Sequence, residues 1–184
     1  MWYLRIPKDR IAVLIGTNGK VRKRIEEKTG VTIQIDSKTG EINIDPENAD
    51  PVMALKARDM VKAIGRGFSP ERAEALLNED VYLQIIDIRD YTGKNRNRVR
   101  RMRGRVIGRK GKTRRLIEEY SEAEISIYGN TIGIIGDPWA LEVAREAIHM
   151  LLSGSEHGTV YRFLERKRRE LKQKRFQELI SGSF

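Results

Sequence analysis

Sliding the chain along itself by 92 residues aligns residues 14–36 with residues 106–128 without a gap, and 10 of the 23 positions are identical. The identities are Ile15/Ile107, Gly16/Gly108, Gly19/Gly111, Lys20/Lys112, Arg22/Arg114, Ile25/Ile117, Glu26/Glu118, Glu27/Glu119, Ile33/Ile125 and Ile35/Ile127. A second block follows at an offset of 87, where Asp50-Pro51 matches Asp137-Pro138 and Ala57-Arg58 matches Ala144-Arg145. A repeat of this kind means two copies of one folding unit and constrains the fold more than any composition does. With 184 residues in all, each copy sits near the lower limit for burying its own core, so two small domains that support one another are expected.

Within each copy the hydrophobic periodicity predicts strand, helix, glycine loop, helix, strand, strand, helix. The first copy places strands at 2–6, 32–36 and 41–44 and helices at 10–15, 20–29 and 51–64; the second places strands at 82–87, 124–128 and 131–135 and helices at 96–107, 112–120 and 138–152. Asp50-Pro51 and Asp137-Pro138 start the last helices, because Asp caps free amides and Pro occupies a first turn that needs no donor. Ser69-Pro70-Glu71 opens a short linker helix through Leu77 by the same logic, and residues 160–180 form a basic, helical-looking tail with irregular apolar spacing. The expected divisions are a first domain at 1–68, a linker at 69–80, a second domain at 81–153 and a tail at 154–184.

The chemistry-bearing feature is Gly-x-x-Gly at the start of a helix: Gly16-Thr17-Asn18-Gly19 and Gly108-Arg109-Lys110-Gly111. Glycine lets a backbone approach a sugar-phosphate chain, and the helix N-terminus offers unpaired N–H groups to anionic oxygen. Alone the pattern is weak; its recurrence in a repeated frame is much stronger. Charge then ranks the copies. The chain carries a net charge of +10, which favours a polyanionic partner. Residues 94–115 hold 12 basic side chains and no acidic one, against 6 basic and one acidic in the matching window 2–23. An insertion at 89–103 supplies Lys94, Arg96, Arg98, Arg100, Arg101 and Arg103, which would contact phosphates beyond the loop. The candidate RNA-binding residues are therefore Arg103, Arg105, Ile107, Gly108, Arg109, Lys110, Gly111, Lys112, Arg114 and Arg115, and, in the first copy, Gly16, Thr17, Asn18, Gly19, Lys20, Arg22 and Lys23. For the first loop a purely structural copy and a binding one stay open, as do RNA, a protein partner or disorder for the tail.

Val106-Ile107-Gly108-Arg109-Lys110-Gly111-Lys112-Thr113 and Leu14-Ile15-Gly16-Thr17-Asn18-Gly19-Lys20-Val21 resemble the I-G-x-x-G-K core of K-homology (KH) domains. The resemblance implies an α+β fold of two tandem KH domains, each a three-stranded sheet with three helices on one face, and a loop that clamps roughly four nucleotides of a single strand. Few residues precede the first helix, so the eukaryotic-type (type I) arrangement is expected, with the extra strand and helix after the core. Together with the linker Gly65-Arg66-Gly67-Phe68-Ser69-Pro70-Glu71-Arg72-Ala73, the two copies resemble the archaeal relatives of the eukaryotic partner-of-NOB-one pre-rRNA processing proteins. That implies single-stranded RNA as partner, in the 3′ region of small-subunit rRNA, with ribosome-assembly proteins such as a maturation endonuclease. Eukaryotic members usually have a decayed first loop; Gly16-Thr17-Asn18-Gly19 is intact.

Other classes are disfavoured. Gly111-Lys112-Thr113 resembles the end of a nucleotide-binding P-loop, but Val106 stands where the first glycine is required. His149 and His157, the two histidines, lie in the predicted last helix and in a loop, and no paired carboxylates or metal-ligand spacing stands out, so neither catalytic nor metal-binding residues are assigned and no cofactor is expected. The absence of cysteine excludes disulfides and thiolate chemistry. The first ten residues carry Arg5, Lys8, Asp9 and Arg10 where a secretion signal would be apolar, and no apolar run reaches membrane-spanning length, so a cytoplasmic protein with no membrane partner is expected. The alternative employment is as a KH subunit of an RNA-degradation or mRNA-regulatory complex.

Overall fold

The computed structural model describes residues 1–182; Ser183 and Phe184, the end of the basic tail, lie outside the described residues. The first copy consists of β1 (Trp2–Arg5), α1 (Lys8–Ile15), a 3-10 turn (Thr17–Gly19), α2 (Lys20–Thr29), β2 (Thr32–Ile35), β3 (Glu41–Asp45) and α3 (Pro51–Gly65). After α4 (Pro70–Ala73) and a 3-10 turn (Glu74–Leu77) comes the second: β4 (Tyr82–Asp87), α5 (Arg89–Thr92), α6 (Arg96–Ile107), a 3-10 turn (Arg109–Gly111), α7 (Lys112–Ser121), β5 (Glu124–Tyr128), β6 (Thr131–Gly136) and α8 (Pro138–Leu152). A final helix, α9, spans His157–Ser181. The two antiparallel sheets have equivalent orders, β1-β3-β2 and β4-β6-β5. Each is a three-stranded sheet carrying helices, the α+β, type I KH arrangement.

Several repeated identities are now explained. Glu26 accepts a hydrogen bond from the Ile33 amide at 2.7 Å, and Glu118 accepts one from the Ile125 amide at 2.9 Å. In each copy this carboxylate ties the helix after the glycine loop to its edge strand. The isoleucines it anchors, Ile33 and Ile125, are fully buried. Asp50 and Asp137 cap α3 and α8 through backbone amides. Helix α1 begins at Lys8, two residues earlier than the periodicity predicts, because Pro7 takes the N-cap position and leaves the next residues free to turn. The short helix α5, unmarked by any apolar period, lies inside the insertion.

The two copies are packed against each other. Strand β6 is buried along its whole length, whereas β3 alternates, so the outer face of the second sheet is covered and that of the first is open. The cover is the segment after α3. Phe68 is fully buried and lies against Gly133 of β6, where an added Cβ would meet the Phe68 ring at 2.6 Å. Burial of a phenylalanine contributes about 1.5–3 kcal/mol. Gly67, at φ +99, lets the chain pass against Ser126 and Tyr128, and the Ser126 hydroxyl donates to the Arg66 carbonyl at 3.0 Å. Arg72 stacks over Phe68 and bridges Glu118 and Glu124 at 2.6 and 2.5 Å. The Tyr128 hydroxyl donates to Asp9; desolvation first, and then this bond, raise the phenol pKa above its ordinary value.

Helix α9 starts as part of the second core. Val160 and Leu164 are fully buried against it, while Phe176 and Leu179 near its far end are exposed.

Candidate nucleic-acid interface

The glycine loops share one backbone path. Gly16 and Gly108 have φ +71 and +75, Asn18 and Lys110 share φ 53 and ψ 30, and Gly19 and Gly111 have φ +75 and +74. The first and second glycines of each loop have different reasons to exist. A Cβ on Gly108 would lie 2.2 Å from the Thr113 hydroxyl oxygen, and one on Gly16 would lie 2.4 Å from a Val21 methyl, so the first glycine is demanded by packing. Nothing stands within 4 Å of a Cβ on Gly19 or Gly111, so the second is demanded by its left-handed backbone and keeps the outer surface clear. Gly19 and Gly111 are the N-caps of α2 and α7, and neither helix has a side-chain cap. The Lys20 and Lys112 amides donate to the Thr17 and Arg109 carbonyls within the turn, so an anion at these helix starts is attracted chiefly by the helix dipole.

Around the second loop the side chains of Arg109 and Lys110 are exposed and without a hydrogen-bond or ion-pair partner among the described residues, as are those of Thr17, Asn18, Lys20 and Lys23 around the first. Arg115 folds back to donate to the Lys110 carbonyl at 3.1 Å, which places its charge beside the loop. Lys112 lies over the Tyr161 ring at 5.5 Å. Arg22 and Arg114 lie along their helices toward Glu26 and Glu118, at 3.9 and 3.6 Å, so part of their charge is already answered. Ile107 is partly exposed next to the loop, and Ile127 is partly exposed on the helix side of the sheet. They supply apolar surface of the kind against which bases stack. Arg103 reaches from α6 to the Gly129 carbonyl at 3.3 Å.

Arg105 does not join this group. Its guanidinium turns inward and donates to the carbonyls of Leu151, at 3.2 Å, and Ser155, tying α6 to the end of α8. Arg10, one of the cations in the first window, is similarly occupied, donating to the Ile64 and Phe68 carbonyls at 2.8 and 2.7 Å.

Sequence reasoning missed α9 as a support of the loop. The Tyr161 hydroxyl and the Thr113 hydroxyl share a hydrogen bond of 2.8 Å, and His157 Nε2 lies 3.0 Å from the Arg105 carbonyl. Farther along, Arg168 pairs with Glu119 at 3.0 Å and Arg175 grips Glu122 through both oxygens at 2.8 and 2.6 Å. Glu122 takes the left-handed conformation, φ 62, at the position where the first copy has Gly30. A non-glycine residue there costs about 1 kcal/mol, and its carboxylate, hydrogen-bonded to Arg175, has a pKa held below the ordinary value. The one signal available in sequence was the acidic residue standing for glycine at the end of an aligned helix.

Comparison with known proteins extends these observations. A KH domain model matches residues 2–63, and a eukaryotic type KH-domain (KH-domain type I) model matches residues 82–169, including the first half of α9. A KH domain-containing protein of Methanocaldococcus jannaschii is 47% identical over 95% of this chain and 77% of its own length. The pre-rRNA-processing protein PNO1 of Coccidioides immitis is 32% identical over 85% of this chain and 62% of its own. Dim2p of Pyrococcus horikoshii, solved in a complex with a/eIF2alpha and rRNA, is 54% identical, covers 92% of this chain and 94% of its own, and superposes with a TM-score of 0.85. The chain belongs to the archaeal PNO1/Dim2-like family. The family's two-domain plan accounts for the linker Gly65 to Ala73, whose Gly67, Phe68 and Arg72 seat one KH domain on the other. No helix among the described residues is long and apolar enough to cross a membrane, and no group of residues among them could hold a metal ion.

Proposed function

We propose that this chain binds single-stranded RNA in rRNA processing, with the second glycine loop as its principal contact. The observation that carries the reading is the uncapped start of α7 behind an open Gly111, flanked by the unpartnered cations Arg109 and Lys110. Phosphate oxygens are drawn to the dipole at the helix start while the cations neutralise charge, and bases can lie against Ile107 and Ile127. The names of the relatives support the setting: one processes pre-rRNA and another was crystallised with rRNA. The finer reading is binding near the 3′ end of small-subunit rRNA, in the cytoplasm, beside ribosome-assembly proteins such as a maturation endonuclease. The role is to hold and present the RNA strand, not to cut it.

Cross-linking in cells followed by sequencing of the bound RNA tests this. Enrichment of mature or precursor small-subunit 3′ ends is expected; their absence would remove the ribosomal assignment.

A further inference from the structure

A second basic site stands apart from the glycine loop. A cavity of about 370 Å³ opens between α5, the first two turns of α6 and the β5–β6 turn, lined by Arg89, Lys94, Arg96, Arg100, Arg103 and Asn130. Its floor includes Val99, which is buried. Arg89 is answered by Asp87, at 2.6 Å, and by the nearby Asp90, and Arg103 spends one donor on the Gly129 carbonyl. Lys94, Arg96 and Arg100 have no hydrogen-bond or ion-pair partner among the described residues. Cations gathered without carboxylates repel one another, and a bound anion relieves that repulsion.

The start of α6 differs here from the start of α7. Asn95 caps α6 with its own side chain, accepting from the Asn97 and Arg98 amides at 3.0 and 3.1 Å. Attraction for an anion therefore comes from side chains, and long flexible cations of this kind suit a phosphodiester chain better than one fixed ion. The first copy has nothing comparable: only Ile6 and Pro7 separate β1 from α1, whereas α5 and its flanking turns separate β4 from α6. Distance along α6 separates the two sites. At about 1.5 Å of rise per residue, Arg103 lies about 6 Å and Arg96 about 16 Å behind Ile107.

We propose that this cavity binds backbone phosphates of the same RNA strand beyond the roughly four nucleotides a KH groove holds. The inference rests on the RNA-binding reading above. It assigns Lys94, Arg96 and Arg100 as phosphate contacts, with Asn130 able to hydrogen-bond a sugar or base edge. The insertion thereby lengthens the footprint of the second domain and leaves the loop itself unchanged.

The test compares single-stranded RNA pools of randomised sequence, four and twelve nucleotides long, on the whole chain carrying Lys94→Ala, Arg96→Ala and Arg100→Ala together. These side chains are exposed and bonded to nothing, so circular dichroism and thermal melting should match the parent. The expected result is a loss of tenfold or more for the twelve-mer and less than twofold for the four-mer. The slope of log K against log salt for the twelve-mer should fall by about 2, three contacts at about 0.7 each. Arg109→Asp with Lys110→Asp, in contrast, should weaken both lengths. Unchanged twelve-mer binding would leave these cations to an acidic protein partner and overturn the proposal. An equal loss for both lengths would also overturn it, since that is the mark of a diffuse field. A parent protein that binds neither pool would remove the RNA-binding reading, and this site with it.

Discussion

Gly16 to Gly19 and Gly108 to Gly111 follow the same backbone path, yet different supports stand behind them. Behind the first, α4 and the turn after it press Glu74 onto α2, where it takes up Arg24 at 2.6 Å and Lys28 at 3.0 Å. Behind the second, α9 presses cations onto α7, with Arg168 on Glu119 and Arg175 on Glu122. The polarity of the support is reversed. In the first copy Arg24 and Lys28 are consumed by a carboxylate, and in the second the tail consumes Glu119 and the C-cap Glu122 while Arg72 takes up Glu118, which leaves Arg109 and Lys110 unanswered. Loop geometry is thus the shared inheritance, and the proposed difference in RNA affinity rests on the electrostatics of the neighbouring elements. The same contrast holds for the sheets: the second copy spends its outer face on the first, through Phe68 and Arg72, while the outer face of the first stays open.

The largest expected effect comes from dissolving the contact between the copies. Phe68→Ala should cost about 3–5 kcal/mol, and denaturant unfolding followed by near- and far-ultraviolet dichroism should resolve into two transitions; one cooperative transition with unchanged midpoint would show that the copies do not need each other. Next, Gly108→Ala should cost about 2–3 kcal/mol, from a left-handed backbone and a Cβ driven into Thr113. Gly111→Ala should cost only about 1 kcal/mol in stability while weakening RNA binding, so melting and binding together separate the two glycines. Equal melting temperatures for the two variants would contradict their different roles.

A smaller effect distinguishes the loops directly. Arg109→Asp with Lys110→Asp should lower single-stranded RNA affinity at least tenfold, about 1.4 kcal/mol, and the same replacement at Thr17 and Asn18 should cost less, read by fluorescence anisotropy. Equal losses would erase the asymmetry between the copies. The smallest effect concerns the tail. Arg175→Ala should lower thermal stability only slightly, because the pair with Glu122 is half exposed and screened by solvent. Since Glu122 has its pKa depressed in the folded protein, the pair's contribution is present above the ordinary carboxylate pKa and is lost as pH falls through the lower, folded one. The stability difference between parent and variant should therefore vanish in acid; a difference that persists there would show that Arg175 acts through packing.

The amino-acid sequence by itself determined the repeat, both loops and the order of the elements the copies share, though not the short α5. Periodicity and caps are local: Asp137-Pro138 starts α8 and Asn95 starts α6 from their own side chains, so these boundaries are legible without knowing what packs nearby. Only the tertiary structure decided which cations are available. Arg105 and Arg109 are indistinguishable in a charge count, yet the first is turned onto the Leu151 carbonyl and the second is left to solvent. The same is true of Tyr161, an aromatic in an irregular basic tail that becomes the partner of Thr113 under the loop. A side chain's charge is written in its identity, but whether that charge is spent depends on partners some 50 residues away, brought together by packing that no local pattern encodes.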